Sequence, residues 1–379
     1  MADIRVPQAD PKAGYLAHKD ELAKAVTRAL DSGWYILGQE VAAFEKEFAA
    51  FENAAHGIGV ANGTDALEII LRGLGIGPGD GVVTVSHTAV ATVASIELVG
   101  ATPILADIDD HYTLSPAALE AALAGNMTGG AGAKPKIKAV IVVHLYGQIA
   151  DMPAIAAIAK KHGIAIIEDC AQAHGATLDG KPVGSWGAAA AFSLYPTKNL
   201  GAFGDGGIVL TNDGALAEKI KAIREYGWRQ RYISDLSGMN TRLDEMHAAM
   251  LRVRLKYLAD ENARRAAIAD VYDAALDGLC PRPLRRAGAG HVFHQYVIRS
   301  KARDALQAKL REAGIGTNVH YPMPVHLQPA YKGRTWLAEG KLPKTELASQ
   351  EVLSLPMFPQ LSDAQVEETV AALKVALKG

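Results

Sequence analysis

Three segments of the sequence combine residue types that could do chemistry together. They are Asn62–Leu67 (NGTDAL), Ile167–Gly175 (IEDCAQAHG) and Phe192–Gly201 (FSLYPTKNLG), the last followed by Gly204–Gly207. The first offers small and hydroxyl-bearing residues for an anion, the second offers acidic residues, and the third offers a lysine between Pro and Gly. Each segment also has an ordinary structural explanation when it is taken alone.

The segment Asn62–Leu67 follows an apolar run and begins a helical pattern. The start of a helix leaves backbone N–H groups free at the positive end of the helix dipole, so Gly63 and Thr64 could bind a phosphate. Alternatively, Thr64 or Asp65 simply caps the helix.

Asp169 follows the apolar run Ile164–Ile167. Acidic residues at the carboxyl end of a parallel strand are well placed for ligands, and a carboxylate here could hold a positive group in a crevice. It could instead pair with an arginine or cap a helix. A metal cluster of Asp169, Cys170 and His174 is a third interpretation, which no second ligand group with zinc-like spacing supports.

Lys198 lies just after an apolar run, between proline and glycine residues. An isolated loop lysine is usually a solvated surface charge. Two common kinds of nucleotide site receive no support. The chain has no P-loop motif, and it has no G-x-G-x-x-G of a nicotinamide dehydrogenase that opens a helix after the first strand.

The order of the three segments shifts the balance towards a site for pyridoxal 5'-phosphate (PLP). This cofactor needs an anchor for its phosphate, a carboxylate beside its ring nitrogen and a lysine amine for its aldehyde. The segment with Gly63 and Thr64, then Asp169, then Lys198 about thirty residues later, offers these three groups in the order of a PLP site.

The elements that must position these residues follow from short apolar runs that alternate with helical patterns. The predicted strands are Gly57–Val60, Val82–Val85, Thr102–Ala106, Ile137–His144, Ile164–Glu168, Ala188–Ser193 and Gly207–Thr211. The helical patterns between them include Asp65–Leu74, Pro153–His162 and Ala215–Tyr226. Strands rich in β-branched residues that alternate with helices predict an α/β layer with a mainly parallel sheet buried on both faces.

The C-terminal part of the chain has a different pattern. Leu243–Leu276 predicts one long helix that links the large domain to a smaller one, and Gly278–Gly290 is typical of a loop. Beyond it we predict a strand at His294–Arg299, a helix at Arg303–Ala313 and a Pro-rich loop at Tyr321–Pro329.

Composition sets the broad class of the protein. The 379 residues include 39 basic and 41 acidic ones, a balance that gives no support for nucleic-acid binding. The chain has two cysteines, and nothing else points to an oxidising compartment, so no structural disulfide is expected. The first residues lack the order of a signal peptide, and no apolar stretch reaches the ~20 residues of a spanning helix, so a cytoplasmic protein is predicted.

Further motifs extend through nearly the whole chain. They are Trp34–Gly38, Gly238–Glu245, Gly314–Pro322 and Ser354–Pro359. With these motifs and the three segments in register, the chain resembles the sugar aminotransferase family named after DegT, DnrJ and StrS. The resemblance implies the α/β fold type I of PLP-dependent transferases. We therefore expect a large domain with a mainly parallel seven-stranded sheet at residues 1–245, and the linking helix with a smaller α+β C-terminal domain at residues 246–379.

The resemblance also implies a role for each site residue. Lys198 resembles the Schiff-base lysine, Asp169 the partner of the ring nitrogen, and Gln172 the partner of the ring hydroxyl. Three residues resemble the phosphate anchors, namely Gly63, Thr64 and Ser193. Asn240 resembles a residue that reaches the phosphate from the neighbouring subunit of a homodimer, and the residues that resemble sugar or diphosphate contacts are Tyr195, His320 and Tyr321.

The function implied is transfer of an amino group from L-glutamate to a nucleotide-linked keto-sugar. The residues around Lys198 are similar to those of members that act on 3-keto sugars, such as a 6-deoxy hexose on dTDP or a sugar on UDP. The alternatives are a 4-keto-sugar aminotransferase, a PLP-dependent sugar dehydratase, in which a histidine replaces the lysine, and a non-enzymatic regulator or scaffold.

Two positions depart from the family pattern. In Thr88–Thr92 the family often has an aromatic residue that stacks on the cofactor ring, whereas this chain has Ala89, with His87 nearby. His247 stands where glutamine is common.

Overall fold

The computed structural model describes residues 4–130 and 132–378. Its helices are α1 (Pro11–Ala17), α2 (Lys19–Asp31), α3 (Gln39–Phe51), α4 (Gly63–Gly73), α5 (Val90–Leu98), α6 (Pro116–Leu123), α7 (Met152–His162), α8 (Gly214–Arg224), α9 (Glu245–Leu255), α10 (Leu258–Ala275), α11 (Arg303–Glu312), α12 (Pro343–Glu351) and α13 (Asp363–Lys378), with short 3-10 helices at Leu145–Gly147 and Val325–Leu327.

The strands are β1 (His56–Val60), β2 (Asp80–Val85), β3 (Thr102–Ala106), β4 (Met127–Gly129), β5 (Lys136–Val143), β6 (Ala165–Asp169), β7 (Thr177–Leu178), β8 (Lys181–Pro182), β9 (Ala189–Ser193), β10 (Gly207–Thr211), β11 (Trp228–Gln230), β12 (Ile233–Ser234), β13 (Ala289–Gly290), β14 (Tyr296–Arg299), β15 (Trp336–Ala338) and β16 (Val352–Leu355).

The main sheet has nine strands in the order β1-β10-β9-β6-β5-β2-β3-β15-β4. The strands from β9 to β15 in this order pair parallel to one another. The outer strands β10, β1 and β4 join through antiparallel pairs. The carboxyl ends of the parallel strands therefore lie along one edge of the sheet, which is the usual place for a ligand in an α/β fold.

All seven strands predicted from the sequence belong to this sheet, and the α/β class is confirmed. The sheet is nevertheless wider than predicted, since β15 and β4 add two strands of three residues each. So short a run carries almost no periodic signal. β15 also comes from the C-terminal part of the chain and joins β3 only through the tertiary fold.

Alternate residues of the central strands face two different cores. Val82 and Ile141 pack in one apolar cluster, whereas Val83 and Val140 pack in the other. Helices cover both faces, so no polar face remains on these strands. This explains why their sequences are apolar almost without interruption.

The single helix predicted over Leu243–Leu276 is wrong in one respect, because the chain forms α9 and α10 with a break at Lys256–Tyr257. Neither Gly nor Pro marks this break. Tertiary contacts hold it instead, since the ring of Tyr257 stacks on His18 with centroids 3.9 Å apart. The neighbouring Arg254 donates from Nη1 to the carbonyl of Gly201 at 2.6 Å.

The C-terminal part of the chain has an apolar cluster of its own, formed by residues from α10, β14, α11, β16 and α13 together with Val6. β14 and β16 pair antiparallel beside it. The division of the chain at residue 245 stays a prediction. Among the helices of the described residues, none is both long and apolar enough to cross a membrane.

Glu52, at the end of α3, is a buried carboxyl group with one backbone partner. Its side-chain oxygen Oε1 accepts a hydrogen bond from the backbone N–H of Gly175 at 2.7 Å. Burial, reinforced by the nearby Glu168, raises the pKa of Glu52 from 4.5 to about 8. The folded protein therefore holds this proton up to about pH 8, whereas the unfolded chain releases it above about pH 4.5.

We expect the wild type to lose stability as pH rises, and we expect Glu52→Gln to lack this loss. Between these two pKa values the folded state binds more protons than the unfolded state, so the free energy of unfolding of the wild type falls with pH. Glutamine keeps the acceptor for Gly175 without an ionisable proton. The variant should therefore gain roughly 2–4 kcal/mol over the wild type between pH 5 and pH 9. Denaturant unfolding at both pH values measures this, with exposed Glu312→Gln as control; a constant difference would contradict it.

Candidate active site

A cavity of about 540 Å³ opens at the carboxyl edge of the main sheet. Its lining includes every site residue predicted from this chain except Asn240. These residues are Gly63, Thr64, Asp169, Gln172, Ser193, Tyr195, Lys198, His320 and Tyr321. A larger cavity of about 680 Å³ lies elsewhere, between Asp109, Arg285 and Lys344, and contains none of them. We therefore take the smaller cavity as the candidate site.

The helix α4 begins at the wall of this cavity. Asn62 caps it, since its side-chain oxygen accepts from the backbone N–H of Asp65 at 2.8 Å. Thus the capping residue is Asn62, not Thr64 or Asp65 as one alternative supposed. The first N–H groups of a helix have no intrahelical acceptor, so those of Gly63 and Thr64 stay available beside the cavity.

Gly63 and Ser193 are in close contact although they belong to different elements. A Cβ atom on Gly63 would lie 2.7 Å from Cβ and 3.2 Å from Oγ of Ser193. Only glycine therefore lets the start of α4 approach the end of β9 so closely. The result is a hydroxyl group beside two free backbone N–H groups, which is a suitable cradle for a phosphate.

Asp169 ends β6 with its carboxylate held from two sides. Thr92 donates from Oγ1 to Oδ2 at 2.8 Å, and the backbone N–H of Ala171 donates to Oδ1 at 3.2 Å. Burial raises the pKa of Asp169, while these two donors and the nearby Lys198 act in the opposite direction. A positive group placed against this carboxylate would be strongly favoured, because it would replace the lost solvation.

Lys198 lies in a compact loop at the other side of the cavity. Its backbone N–H donates to the carbonyl of Tyr195 at 2.9 Å, and Ala202 closes the loop by donating to Leu194 at 2.7 Å. Burial lowers the pKa of the Lys198 amine to about 8, against the opposing effect of Asp169. A substantial share of this amine is therefore neutral near pH 7–8, the form that acts as nucleophile and base.

Gln172 has a fixed amide orientation. Its Oε1 accepts from the backbone N–H of Tyr146 at 2.7 Å, so its amide nitrogen faces the cavity side and donates to the hydroxyl of Tyr321 at 3.2 Å. Burial raises the pKa of Tyr321 to about 12, so its hydroxyl keeps its proton.

His320 and Tyr195 complete the predicted substrate side. Nδ1 of His320 lies 2.8 Å from Oγ of Ser354, and burial lowers the pKa of His320 to about 4. The imidazole is therefore neutral at physiological pH. Tyr195 is half exposed at the mouth of the cavity.

Asn240 does not belong to the cavity of its own chain. It is exposed, and its backbone forms an isolated antiparallel bridge with Glu225. Its role in a neighbouring subunit stays a prediction.

The two departures from the family pattern have different surroundings. Ala89 lines the cavity together with Ala91. His87 does not, since it is fully buried with Nε2 at 2.8 Å from the hydroxyl of Tyr146. His247 packs on Gly204, where a Cβ atom would lie 2.8 Å from Cε1 of the imidazole.

The metal interpretation of Asp169, Cys170 and His174 finds no support. Within residues 4–130 and 132–378, the grouping whose donor atoms converge is His144, Glu168 and Cys170. The carboxylate of Glu168 is already saturated, since Oε1 accepts from the N–H groups of Trp186 and Gly187, and Oε2 from the N–H of Gly184 and from His144. These donors make Glu168 a structural anchor.

Several cavity residues escaped prediction. They are Asn62 as a cap, Ala91, Ala171, Thr197, Asp205, His294 and Gln295. Thr92, which orients Asp169, was missed as well. His294 and Gln295 reach the site only because the chain after α10 returns to it. The sequence signal at this point was merely the start of a strand.

Comparison with known proteins agrees with this geometry. The chain is 45% identical over 373 residues to a dTDP-3-amino-3,4,6-trideoxy-alpha-D-glucose transaminase of Streptomyces venezuelae. The aligned residues cover 98% of this chain and 96% of the relative. The chain is also 42% identical over 376 residues to a UDP-N-acetyl-3-dehydro-alpha-D-glucosamine 3-aminotransferase of Acidithiobacillus ferrooxidans. Here the aligned residues cover 99% of this chain and 98% of the relative.

A solved structure is similar over the same length. The crystal structure of S. venezuelae DesV in complex with a ketimine intermediate matches with a TM-score of 0.92 and 45% identity, covering 98% of this chain and 99% of that chain. The sequence profile of the DegT/DnrJ/EryC1/StrS aminotransferase family matches residues 17–374. The chain therefore belongs to the DegT/DnrJ/EryC1/StrS aminotransferase family.

Proposed function

We propose that this enzyme transfers an amino group from L-glutamate to a 3-keto sugar carried by a nucleoside diphosphate, with PLP as its cofactor. The observation that carries the proposal is the convergence of Lys198, Asp169 and the Gly63–Ser193 cradle on one cavity. The two relatives described above act at the third carbon of the sugar, one on a dTDP sugar and the other on a UDP sugar. They support the position of the keto group but leave the nucleotide open.

The residues present fit PLP. The close approach of Gly63 to Ser193 leaves the cradle that a phosphate requires, and the carboxylate of Asp169 and the amine of Lys198 line the same cavity. When bound, PLP supplies an electron sink that lets an amino group and a proton move between carbon atoms. Gln172 is the proposed partner of its ring hydroxyl.

Lys198 performs the proton transfer in this proposal. Because the pKa of its amine is lowered to about 8, the neutral form could move a proton between the substrate carbon and the cofactor carbon, away from the amino donor in one half-reaction and onto the sugar carbon in the other. General acid–base work of this kind contributes roughly 10²–10⁴-fold in rate. Asp169 would hold the positive ring nitrogen of bound PLP, and Thr92 keeps the Asp169 carboxylate in place.

The sugar side is formed by neutral hydrogen-bonding groups. His320 has a pKa near 4 and Tyr321 one near 12, so neither carries charge at physiological pH. Such groups can orient hydroxyl and carbonyl oxygens of a sugar without attracting a competing ion. The retained Lys198 disfavours the dehydratase alternative.

We also propose a homodimer. Large apolar side chains are exposed in the segments that precede Ile36 and Asn240, among them Trp34 at 63%, Tyr35 at 51% and Tyr232 at 73% exposure. The segment of Trp34 and Tyr35 lies beside that of Asn240, since Ile36 bridges Asp244. Exposed apolar surface of this kind favours association with a second copy.

We expect the purified enzyme, loaded with PLP, to aminate 3-keto sugars from a panel of UDP- and dTDP-linked 3-keto and 4-keto sugars in the presence of glutamate. Lys198→Ala should lower the rate by more than about 10²-fold, because the proton-transfer group is lost. Mass spectrometry and NMR of the product identify the aminated carbon. Exposed Lys301→Ala serves as control. Amination of 4-keto sugars alone, or full activity of Lys198→Ala, would contradict the proposal.

Gly63→Ala should weaken the affinity for PLP on the order of tenfold, because the new methyl group would push α4 away from Ser193 and open the phosphate cradle. The dissociation constant follows from the visible absorbance of bound PLP. Gly77→Ala is a matched control, since its Cβ would meet only the Val99 carbonyl at 3.5 Å. An unchanged dissociation constant in Gly63→Ala would show that the phosphate binds elsewhere.

Mixed dimers test the role of Asn240. Asn240→Asp would place a negative charge beside the phosphate of the neighbouring site, so this variant and Lys198→Ala should each be inactive. Random mixing should restore about a quarter of the wild-type rate, because about half of the dimers then contain one site with both residues intact. Inactivity of the mixture, measured after co-refolding, would contradict a contribution of Asn240 to the site of the neighbouring subunit.

A further inference from the structure

Tyr146 contacts the cavity from behind without lining it. It is almost fully buried, at 3% exposure, in the short 3-10 helix that follows β5. Its three polar groups each contact a cavity residue. The backbone N–H donates to Oε1 of Gln172 at 2.7 Å, the backbone carbonyl accepts from the N–H of Gln295 at 3.2 Å, and the hydroxyl donates to the carbonyl of His320.

The hydroxyl of Tyr146 also belongs to a directed chain of hydrogen bonds. The carbonyl of His320 can only accept, so the Tyr146 hydroxyl must donate to it and accept from Nε2 of His87 at 2.8 Å. Nδ1 of His87 is then free of a proton and accepts from Oγ of Ser349 at 3.3 Å. Burial lowers the pKa of His87 to about 4, which agrees with this neutral tautomer.

The backbone at this point is unusual for a residue with a side chain. Tyr146 has φ 61°, in the left-handed region that favours glycine. The next residue, Gly147, also has a positive φ, and a Cβ there would lie 3.0 Å from the backbone nitrogens of Phe293 and His294. The chain therefore keeps a tyrosine where its backbone alone would favour glycine.

The contacts of Tyr146 divide into two sets. The backbone N–H fixes Gln172, the proposed partner of the cofactor ring hydroxyl. The side-chain hydroxyl fixes the carbonyl of His320, at the segment whose side chains His320 and Tyr321 face the proposed sugar site. Tyr146 thus spans the distance between the cofactor side and the substrate side of one cavity.

We propose that Tyr146 is a positioning residue, which sets His320 and Tyr321 relative to Gln172 and so aligns the keto-sugar with the cofactor. The inference rests on the proposed function, because it assigns the sugar side of the cavity to His320 and Tyr321. The backbone of Tyr146 serves the cofactor side and its hydroxyl serves the sugar side. A substitution that removes the hydroxyl alone should separate the two.

Tyr146→Phe makes this separation. The KM should be measured for the UDP- or dTDP-linked 3-keto sugar that the wild-type enzyme aminates fastest. We expect this KM to rise on the order of tenfold, because the carbonyl of His320 and the buried Nε2–H of His87 lose their partner. The PLP dissociation constant and the rate of the half-reaction with glutamate, followed by visible absorbance, should stay within about twofold, because phenylalanine keeps the backbone N–H for Gln172.

Tyr272→Phe is the matched control. Tyr272 is also fully buried, and its hydroxyl donates to the carbonyl of Pro356 at 3.0 Å, away from the cavity. It should lose stability without a change in KM for the sugar. Should Tyr146→Phe fail to fold, Ser349→Ala replaces it, because Ser349 lies at the other end of the chain of hydrogen bonds through His87. The expected rise in KM for the sugar is then about two- to threefold.

The outcomes separate the two proposals. A wild-type enzyme that aminates no keto-sugar would overturn the proposed function, and this inference with it. An active wild type with an unchanged KM in the variant would overturn the role of Tyr146 alone. A parallel loss of the glutamate half-reaction, of PLP affinity and of sugar binding would do the same, since it would indicate general disruption of the fold.

Discussion

The structure depends on holding an amine and a carboxyl group together inside one cavity. Burial disfavours the charged form of both, as the lowered pKa of Lys198 and the raised pKa of Asp169 indicate, while each charge attracts the other. Left unsupported, such a pair would draw in water or rearrange. Here Thr92 and the backbone of Ala171 fix the carboxylate, and a closed loop of backbone hydrogen bonds fixes the lysine. These hydrogen bonds thus hold the carboxylate and the backbone of the lysine in place at the cavity.

The parallel sheet makes this arrangement possible. Strands that run side by side in one direction end at one edge, so residues far apart in the chain become neighbours, as the pairing of Asp169 with Ala191 shows. Helix α4 adds its free N–H groups at the same edge, because Gly63 admits close contact with Ser193. Amine, acid and anion cradle therefore follow from one topological feature, and the loops need only adjust their details.

Much of this could be predicted where the signal is local. The seven strands could be predicted because both of their faces are apolar, and Gly63, Asp169 and Lys198 because they occur at or after predicted strands in the order of a PLP site. What was missed depends on the tertiary fold. The break at Lys256–Tyr257 has no Gly or Pro, β4 and β15 are too short for a period, and His294 reaches the site from a remote segment. Tyr146 carries no chemistry of its own, so only its contacts reveal it.

The position of β15 restricts how the molecule can move. Trp336 and Leu337 of β15 pair with β3, and β15 pairs with β4 on its other side. The C-terminal part of the chain therefore contributes a strand to the main sheet. A rigid-body rotation of that part about the end of α9 would break the hydrogen bonds of β15 with β3 and with β4. A substrate would therefore meet a largely preformed cavity, with Tyr195 exposed at its mouth.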